Sequence, residues 1–100
     1  IVILGVGRDG HTASLFPEFP DLLKDTGLVI PVPIPNMEPK IERVSITFNL
    51  INASENILIL TSKENKEKII NEIIMNNSMD YPVSLIKNKE TLYWLISERN

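Results

Sequence analysis

Short apolar runs predict strands at four places along the chain. Ile1–Leu4 and Ile57–Leu60 contain no polar residue, which is typical of strands that are covered on both faces in a parallel sheet. Val83–Ile86 and Leu92–Leu95 are two further strand candidates, with residues 88–90 as the turn between them.

Helical spacing predicts one longer helix and two short helical segments. The apolar positions of the longer helix, three and four residues apart, are Ile69, Ile70, Ile73 and Ile74. Thr61 and Glu64 have the spacing of a capping box, so this helix is expected to run from about Ser62 to Met75. Residues 11–16 predict a short helix that Pro17 ends, and residues 49–54 predict a helical turn.

A proline-rich segment divides the chain. Residues 31–40 contain four prolines and predict an extended, partly polyproline loop, of the kind that often lines a functional site. Leu28–Ile30 predicts a short strand before this loop. Arg43–Phe48 alternates polar and apolar residues and predicts a strand or extended arm after it. The resulting order of strands and helices predicts an α/β layer fold.

Composition excludes several classes of function. Hydrophobic residues make up 43% of the 100 residues, charged residues make up 23%, and the net charge is −3. This mild acidity argues against nucleic acid as the main partner. The absence of cysteine excludes disulfides and a thiolate nucleophile, and a single histidine excludes a multi-histidine metal centre. The apolar runs are too short to cross a membrane, and we expect the chain to be the later part of a longer polypeptide because it opens inside a strand.

The glycine-rich loop after the first strand allows three interpretations. Residues 5–10 match G-x-G-x-x-G, but a dinucleotide site also needs an acidic residue after the next strand, and residues 28–33 contain none. A plain strand-to-helix turn is the second interpretation. The third is a hydrolytic site centred on His11, with Asp9 orienting it, because an imidazole can take a proton from water near neutral pH. Ser14 lacks the G-x-S-x-G context of a nucleophile.

Four stretches together resemble the 6-phosphogluconolactonase family. The longest is GVGRDGHTASLFP at residues 5–17, and the others are ERVSIT at 42–47, residues 60–66 and TLYWL at 91–95. The resemblance implies a Rossmann-like, mostly parallel sheet of the type found in glucosamine-6-phosphate deaminases and ribose-5-phosphate isomerases. It also implies that residues 1–100 are the C-terminal part of a single α/β domain, since family members are more than twice this length.

The resemblance implies that the protein hydrolyses 6-phospho-D-glucono-1,5-lactone in the oxidative pentose phosphate pathway, without a metal or cofactor. His11 would activate water, assisted by Asp9. A nearby cation or loop N–H groups would stabilise the oxyanion. The residues expected to bind the substrate and its phosphate are Gly7, Gly10, Arg43 and Lys66. The isolated 100-residue chain is expected to be inactive.

Two alternatives stay open at this point. Glucosamine-6-phosphate deaminases carry a similar loop, but their glutamate corresponds to Phe16 here, which favours the lactonase. A non-catalytic sugar-phosphate-binding relative is the second. We expect a cytoplasmic protein whose partner is a small sugar-phosphate lactone, with no nucleic acid or membrane, working beside glucose-6-phosphate dehydrogenase or fused to it.

Overall fold

The structure, a computed structural model, describes residues 1–87 and 89–98 and contains two sheets. The strands are β1 (Val2–Leu4), β2 (Val29–Val32), β3 (Arg43–Ile46), β4 (Ile57–Ser62) and β5 (Leu92–Ser97). The α-helices are α1 (Phe48–Asn52) and α2 (Glu67–Ile74), and 3-10 turns span Pro20–Lys24, Pro82–Leu85 and Lys89–Thr91. In the described part of the chain, no helix has the length and apolar character needed to cross a bilayer.

A three-stranded parallel sheet carries the fold, in the order β1-β4-β5. Leu4 lies opposite Ile59, and Ile59 lies opposite Trp94. The strands β2 and β3 form a separate antiparallel hairpin, in which Val32 pairs with Arg43. Because all strands of the main sheet run the same way, the loops after β1 and β4 leave from the same edge.

One face of the parallel sheet packs on the core. The buried cluster on this face includes Leu4, Ile57 and Ile59 from the strands, Phe48 and Ile51 from α1, and Ile69 and Ile73 from α2. Side chains alternate between the two faces of a strand. The opposite face exposes Ile3 (59%), Leu60 (42%) and Leu95 (63%). The expectation that β1 and β4 are covered on both faces is therefore wrong for this chain.

The start of α2 differs from the prediction. Thr61 and Ser62 extend β4, where they pair with residues 96 and 97 of β5, so Thr61 is not a helix cap. The backbone then turns through Asn65, whose φ is 61°, and Lys66 is the N-cap of the helix. Pairing of Thr61 and Ser62 with β5 therefore prevents the helix start that the local capping pattern predicted.

Two other predicted elements take different forms. Residues 11–16 form a tight turn in which Thr12 and Leu15 bridge and Ala13 has a φ of 51°, so no helix forms there. Residues 83–86 lie mostly in a 3-10 turn that Pro82 begins, so they are not a strand. The prolines do not prevent the first residues of the 31–40 segment from pairing, since Pro31 and Val32 belong to β2. Residue 88 of the predicted turn lies outside the described residues.

The remaining elements are confirmed. The predicted strands at 1–4, 28–30, 43–48, 57–60 and 92–95 correspond to β1, β2, β3, β4 and β5. The helical turn at 49–54 corresponds to α1, which begins after Thr47 because its hydroxyl accepts the Leu50 N–H at 3.1 Å.

Candidate active site

The glycine-rich segment after β1 folds back on itself as a compact loop. The Gly7 N–H donates to the His11 carbonyl oxygen at 2.9 Å, and the Gly10 N–H donates to the Gly7 carbonyl oxygen at 3.0 Å. The Thr12 hydroxyl donates to the Gly5 carbonyl oxygen at 2.7 Å. These bonds join the end of the loop to its start and hold His11 at the carboxyl end of β1, where open α/β sheets place ligands.

A hydrogen-bonded aspartate–histidine pair lies in this loop. Asp9 Oδ1 lies 2.5 Å from His11 Nδ1 and accepts the His11 backbone N–H at 3.0 Å. Because an ionised carboxylate only accepts hydrogen bonds, the proton of the neutral ring belongs on Nδ1 and the lone pair on Nε2. The His11 side chain is 19% exposed and that of Asp9 is 44% exposed. The pair can therefore take a proton at Nε2 while Asp9 stabilises the imidazolium.

Gly7 and Gly10 are each required to be glycine, but for different structural reasons. A Cβ atom on Gly7 would overlap the His11 ring, so Gly7 lets the imidazole lie against the backbone. Gly10 has a φ of 83°, which disfavours other residues, and its Cα faces the Tyr81 ring. Gly7 thus supports the histidine directly, whereas Gly10 turns the chain and contacts a different element.

A cavity of about 320 Å³ opens at this loop. Its lining consists of Gly5, Val6, Gly7, His11 and Ala13. A larger cavity of about 530 Å³ lies between the 3-10 turn at 20–24 and α1, but none of the predicted site residues lines it. The smaller cavity contains the proton-accepting group and is the candidate substrate site for that reason.

Arg43 reaches the histidine through a shared aromatic ring. Its guanidinium carbon lies 5.7 Å from the centre of the Phe16 ring, and the centre of that ring lies 4.7 Å from the centre of the His11 ring. Nη2 donates to the Pro39 carbonyl oxygen at 3.0 Å. Nε is buried and has no hydrogen-bond partner among the described residues. Arg43 is therefore a guanidinium one ring away from His11, and guanidinium groups bind anionic ligands well.

Lys66 lies at the end of the neighbouring strand. It is the half-buried N-cap residue of α2, and its Nζ lies 3.4 Å from the Thr61 Oγ1. Lys63, in the same loop, pairs with Glu98 at 3.3 Å on the surface. Because β1 and β4 are adjacent and parallel, Lys66 stands at the same edge of the sheet as the glycine-rich loop. Free N–H groups at a helix start also attract anions.

Comparison with known proteins assigns the family. Residues 1–94 match the family described as glucosamine-6-phosphate isomerases/6-phosphogluconolactonase. The chain belongs to this family.

Named relatives of the family are similar along nearly all of this chain. The chain is 31% identical to a human 6-phosphogluconolactonase over 98% of its own length, and 30% identical to a rat one over 98%. It is 29% identical to a 6-phosphogluconolactonase of Chlamydia pneumoniae over 97%. In each case the chain spans only 38% of the relative's length.

Solved structures confirm the fold. A 6-phosphogluconolactonase from Thermotoga maritima superposes with a TM-score of 0.80 at 31% identity, covering 96% of this chain and 42% of that one. The enzyme from Trypanosoma brucei gives 0.79 at 29% identity, covering 97% and 39%. A monomeric glucosamine-6-phosphate deaminase gives 0.70 at 18% identity, covering 96% and 44%, and is similar in fold alone. The predicted Rossmann-like α/β class of this family is thereby confirmed.

The structure brings most of the predicted site residues together. Asp9, His11 and Gly7 are in direct contact, and Arg43 joins them through Phe16. Gly10 lies behind the loop, against Tyr81, and is not part of the cavity lining. Among the described residues, no three His, Asp or Glu side chains are grouped as metal ligands would be.

Two participants were not predicted from the sequence. Phe16 is 1% exposed and joins Arg43 to His11, although its position in the sequence pointed only to the difference between two families. Tyr81 packs on Gly10 from 71 residues further along the chain. No local pattern signals the Phe16–Arg43 or Tyr81–Gly10 contact, because each joins segments that are distant in the sequence.

Proposed function

We propose that this chain supplies the general base and the cationic binding groups of a 6-phosphogluconolactonase. The substrate is 6-phospho-D-glucono-1,5-lactone and the product is 6-phosphogluconate, in the oxidative pentose phosphate pathway. The proposal is carried by the Asp9–His11 pair, and the names of the relatives support it. In this proposal residues 1–100 are the C-terminal part of one domain. A cytoplasmic location and a partnership with, or fusion to, glucose-6-phosphate dehydrogenase belong to the same proposal.

The reaction needs one group that takes a proton and later returns it. His11 Nε2 accepts a proton from water, and the resulting hydroxide attacks the lactone carbonyl carbon. When the tetrahedral intermediate collapses, the bond to the ring oxygen breaks and His11 returns the proton to that oxygen. Asp9 keeps the ring in the required tautomer and offsets the positive charge that the ring carries between the two transfers.

Cations are favoured over loop amides for the negative charges. The N–H groups of Gly7, Gly10 and His11 all donate to acceptors within the loop, so they are not available to an oxyanion. Arg43 contacts the Phe16 ring, which in turn contacts His11. Arg43 and Lys66 are therefore proposed to bind the substrate's anionic groups.

A deaminase function is disfavoured by the side chain at position 16. A deaminase of this family would need a carboxylate there for ring opening. Phe16 is instead buried, in contact with the tilted His11 ring and the Arg43 guanidinium, and in edge contact with Phe19, whose ring centre is 6.4 Å away. A carboxylate could not occupy this apolar position without losing those contacts.

The test is a phosphorus NMR time course of freshly generated 6-phosphogluconolactone. It uses the protein as expressed from its natural gene, its His11→Ala variant and a Lys24→Ala control, with the spontaneous rate subtracted. Lys24 is an exposed lysine that lines the larger cavity and not the one at His11. We expect His11→Ala to lower the catalysed rate at least about 10²-fold, a typical contribution of a general base, and Lys24→Ala to leave it unchanged.

Other results would contradict the proposal in distinct ways. Equal turnover by the wild type and His11→Ala would remove the role of His11. No turnover, together with calorimetric binding of 6-phosphogluconate that Arg43→Ala weakens, would replace the enzyme with a sugar-phosphate-binding protein. Neither turnover nor binding would leave a structural domain.

A further inference from the structure

Tyr81 contacts the glycine-rich loop at Gly10, a residue that does not line the cavity. Its ring lies so close to the Gly10 Cα that a side chain at Gly10 would overlap it. The Val83 N–H, two residues further on, donates to the Gly10 carbonyl oxygen at 3.0 Å. The segment that begins at Tyr81 therefore fixes Gly10 by one packing contact and one hydrogen bond.

The other end of Tyr81 is attached to α2. Its phenol donates a hydrogen bond to the Glu72 carboxylate, while its ring packs against the core. Glu72 lies in α2, the helix whose N-cap is Lys66. A hydrogen bond to a charged acceptor is about twice as strong as a neutral one, so this contact restrains the ring firmly. Tyr81 thus connects the helix that starts at Lys66 with the loop that carries His11.

We propose that Tyr81 is a positioning residue that holds the loop of the general base in register with α2. The inference rests on the proposed role of His11. Gly10 directly precedes His11, and its N–H donates to Gly7, against which the imidazole lies. A shift of Gly10 would therefore change the position of the ring and of its partner Asp9. Misplacement of a catalytic group by about 1 Å can cost about 10²-fold in rate.

The chain contains a natural control for this proposal. It has two tyrosines, and the second, Tyr93, is 55% exposed on the open face of the sheet. Tyr81→Phe keeps the ring but removes its bond to Glu72, and Tyr81→Ala also removes the packing on Gly10. Glu72→Gln retains an acceptor but removes the charge. Tyr93→Phe makes the same chemical change as Tyr81→Phe at a place unconnected with the loop.

The first measurement is amide hydrogen exchange in these variants. We expect Tyr81→Phe to speed exchange at the Gly10 and His11 amides about 10-fold, since one charge-assisted bond is lost. Exchange at the Ile59 amide in the core of β4 should stay unchanged in the same sample. Glu72→Gln should give a smaller acceleration, and Tyr93→Phe none. Equal acceleration at Ile59 would indicate general destabilisation and overturn the positioning role.

The second measurement compares the effects of the variants on kcat and on KM for lactone hydrolysis. Tyr81→Phe should lower kcat about 10-fold and leave KM unchanged, because the base moves while the binding cations stay in place. Tyr81→Ala should lower kcat about 10²-fold. Unchanged exchange and unchanged kcat in Tyr81→Phe would overturn the inference while leaving His11 as the base. Hydrogen exchange at the Gly10 and His11 amides does not depend on turnover. It therefore tests the role of Tyr81 even if the protein does not hydrolyse the lactone.

Discussion

The two loops that leave the carboxyl edge of the parallel sheet are built in different ways. The loop after β1 is closed by bonds from Gly7, Gly10 and Thr12 to its own backbone and is braced by Tyr81. In the loop after β4, the Lys66 N–H donates to the Lys63 carbonyl oxygen at 3.0 Å, and the Lys63 N–H joins the loop to the sheet by donating to the Ser97 carbonyl oxygen at 2.9 Å. The charged ends of its lysines make only longer contacts, of 3.3 and 3.4 Å.

The difference corresponds to two kinds of chemistry. Proton transfer requires a heavy-atom separation within hydrogen-bond reach, so the base must be fixed in place. Attraction between a lysine and a phosphate falls slowly with distance, so a flexible point charge can serve. We therefore expect errors of placement to cost far more activity after β1 than after β4.

The largest expected effect comes from Gly7→Ala, which disturbs the loop after β1. The added methyl group would overlap the His11 ring and displace it, so we expect about a 10²-fold loss of kcat. The matched change is Gly5→Ala, whose methyl group would meet only the Leu60 carbonyl oxygen at 4.0 Å. Lactone turnover and circular dichroism should show a much smaller loss for Gly5→Ala and a retained fold for both. Equal losses would contradict the expected cost of misplacing His11.

Arg43→Ala tests the cation that contacts Phe16, the ring that lies beside His11. We expect KM to rise about 10-fold, because a hydrogen bond to a charged group contributes about 1.5–3 kcal/mol. Arg43→Lys should lie between Arg43→Ala and the wild type, since a lysine keeps the charge but loses the planar contact with Phe16. Steady-state kinetics would measure both, and an unchanged KM in Arg43→Ala would remove Arg43 from substrate binding.

Lys66→Ala tests the less constrained loop and should have a smaller effect. An exposed or half-exposed charge pair contributes up to about 1 kcal/mol, so we expect KM to rise about 3-fold. Lys63→Ala, which removes only the surface pair with Glu98, should leave KM unchanged. A KM increase in Lys66→Ala as large as that in Arg43→Ala would show that the two loops bind substrate with equal precision.

The hydrogen bond between Tyr81 and Glu72 predicts that the free energy of unfolding depends on pH. The hydrogen bond to Glu72 raises the pKa of Tyr81, and burial and the charges of Glu72 and Asp80 raise it further. A raised pKa means that folding favours the protonated phenol. This contribution to stability is therefore complete below the ordinary tyrosine value of about 10 and is lost as pH rises through the raised pKa.

Urea unfolding between about pH 9 and about pH 11 would measure this loss. The part of the decline in the free energy of unfolding that the Tyr81 phenol causes should disappear in Tyr81→Phe and persist in Tyr93→Phe. An identical pH dependence in the wild type and Tyr81→Phe would mean that the Tyr81–Glu72 bond does not contribute to folding.

The same contrast explains what the sequence could predict. The loop after β1 is local: Asp9, Gly7 and His11 lie within five consecutive residues, so their association is visible in the sequence. The predicted start of α2 was wrong because β4 extends through Ser62 by pairing with β5. This pairing joins residues that are 35 positions apart. The prediction of a short helix at 11–16 was wrong because Thr12 and Ser14 make hydrogen bonds to Gly5 and Ser45 instead.

In the proposed mechanism, Asp9 holds the proton on Nδ1 of His11 and leaves Nε2 as the base. A nitrogen–proton correlation of the imidazole reports this tautomer, with the His11 signals assigned by their loss in His11→Ala. For the neutral ring, we expect a protonated Nδ1 and a bare Nε2, and a loss of that preference in Asp9→Asn. A wild-type ring protonated at Nε2 would contradict the mechanism, because the nitrogen proposed to accept the proton would already carry one.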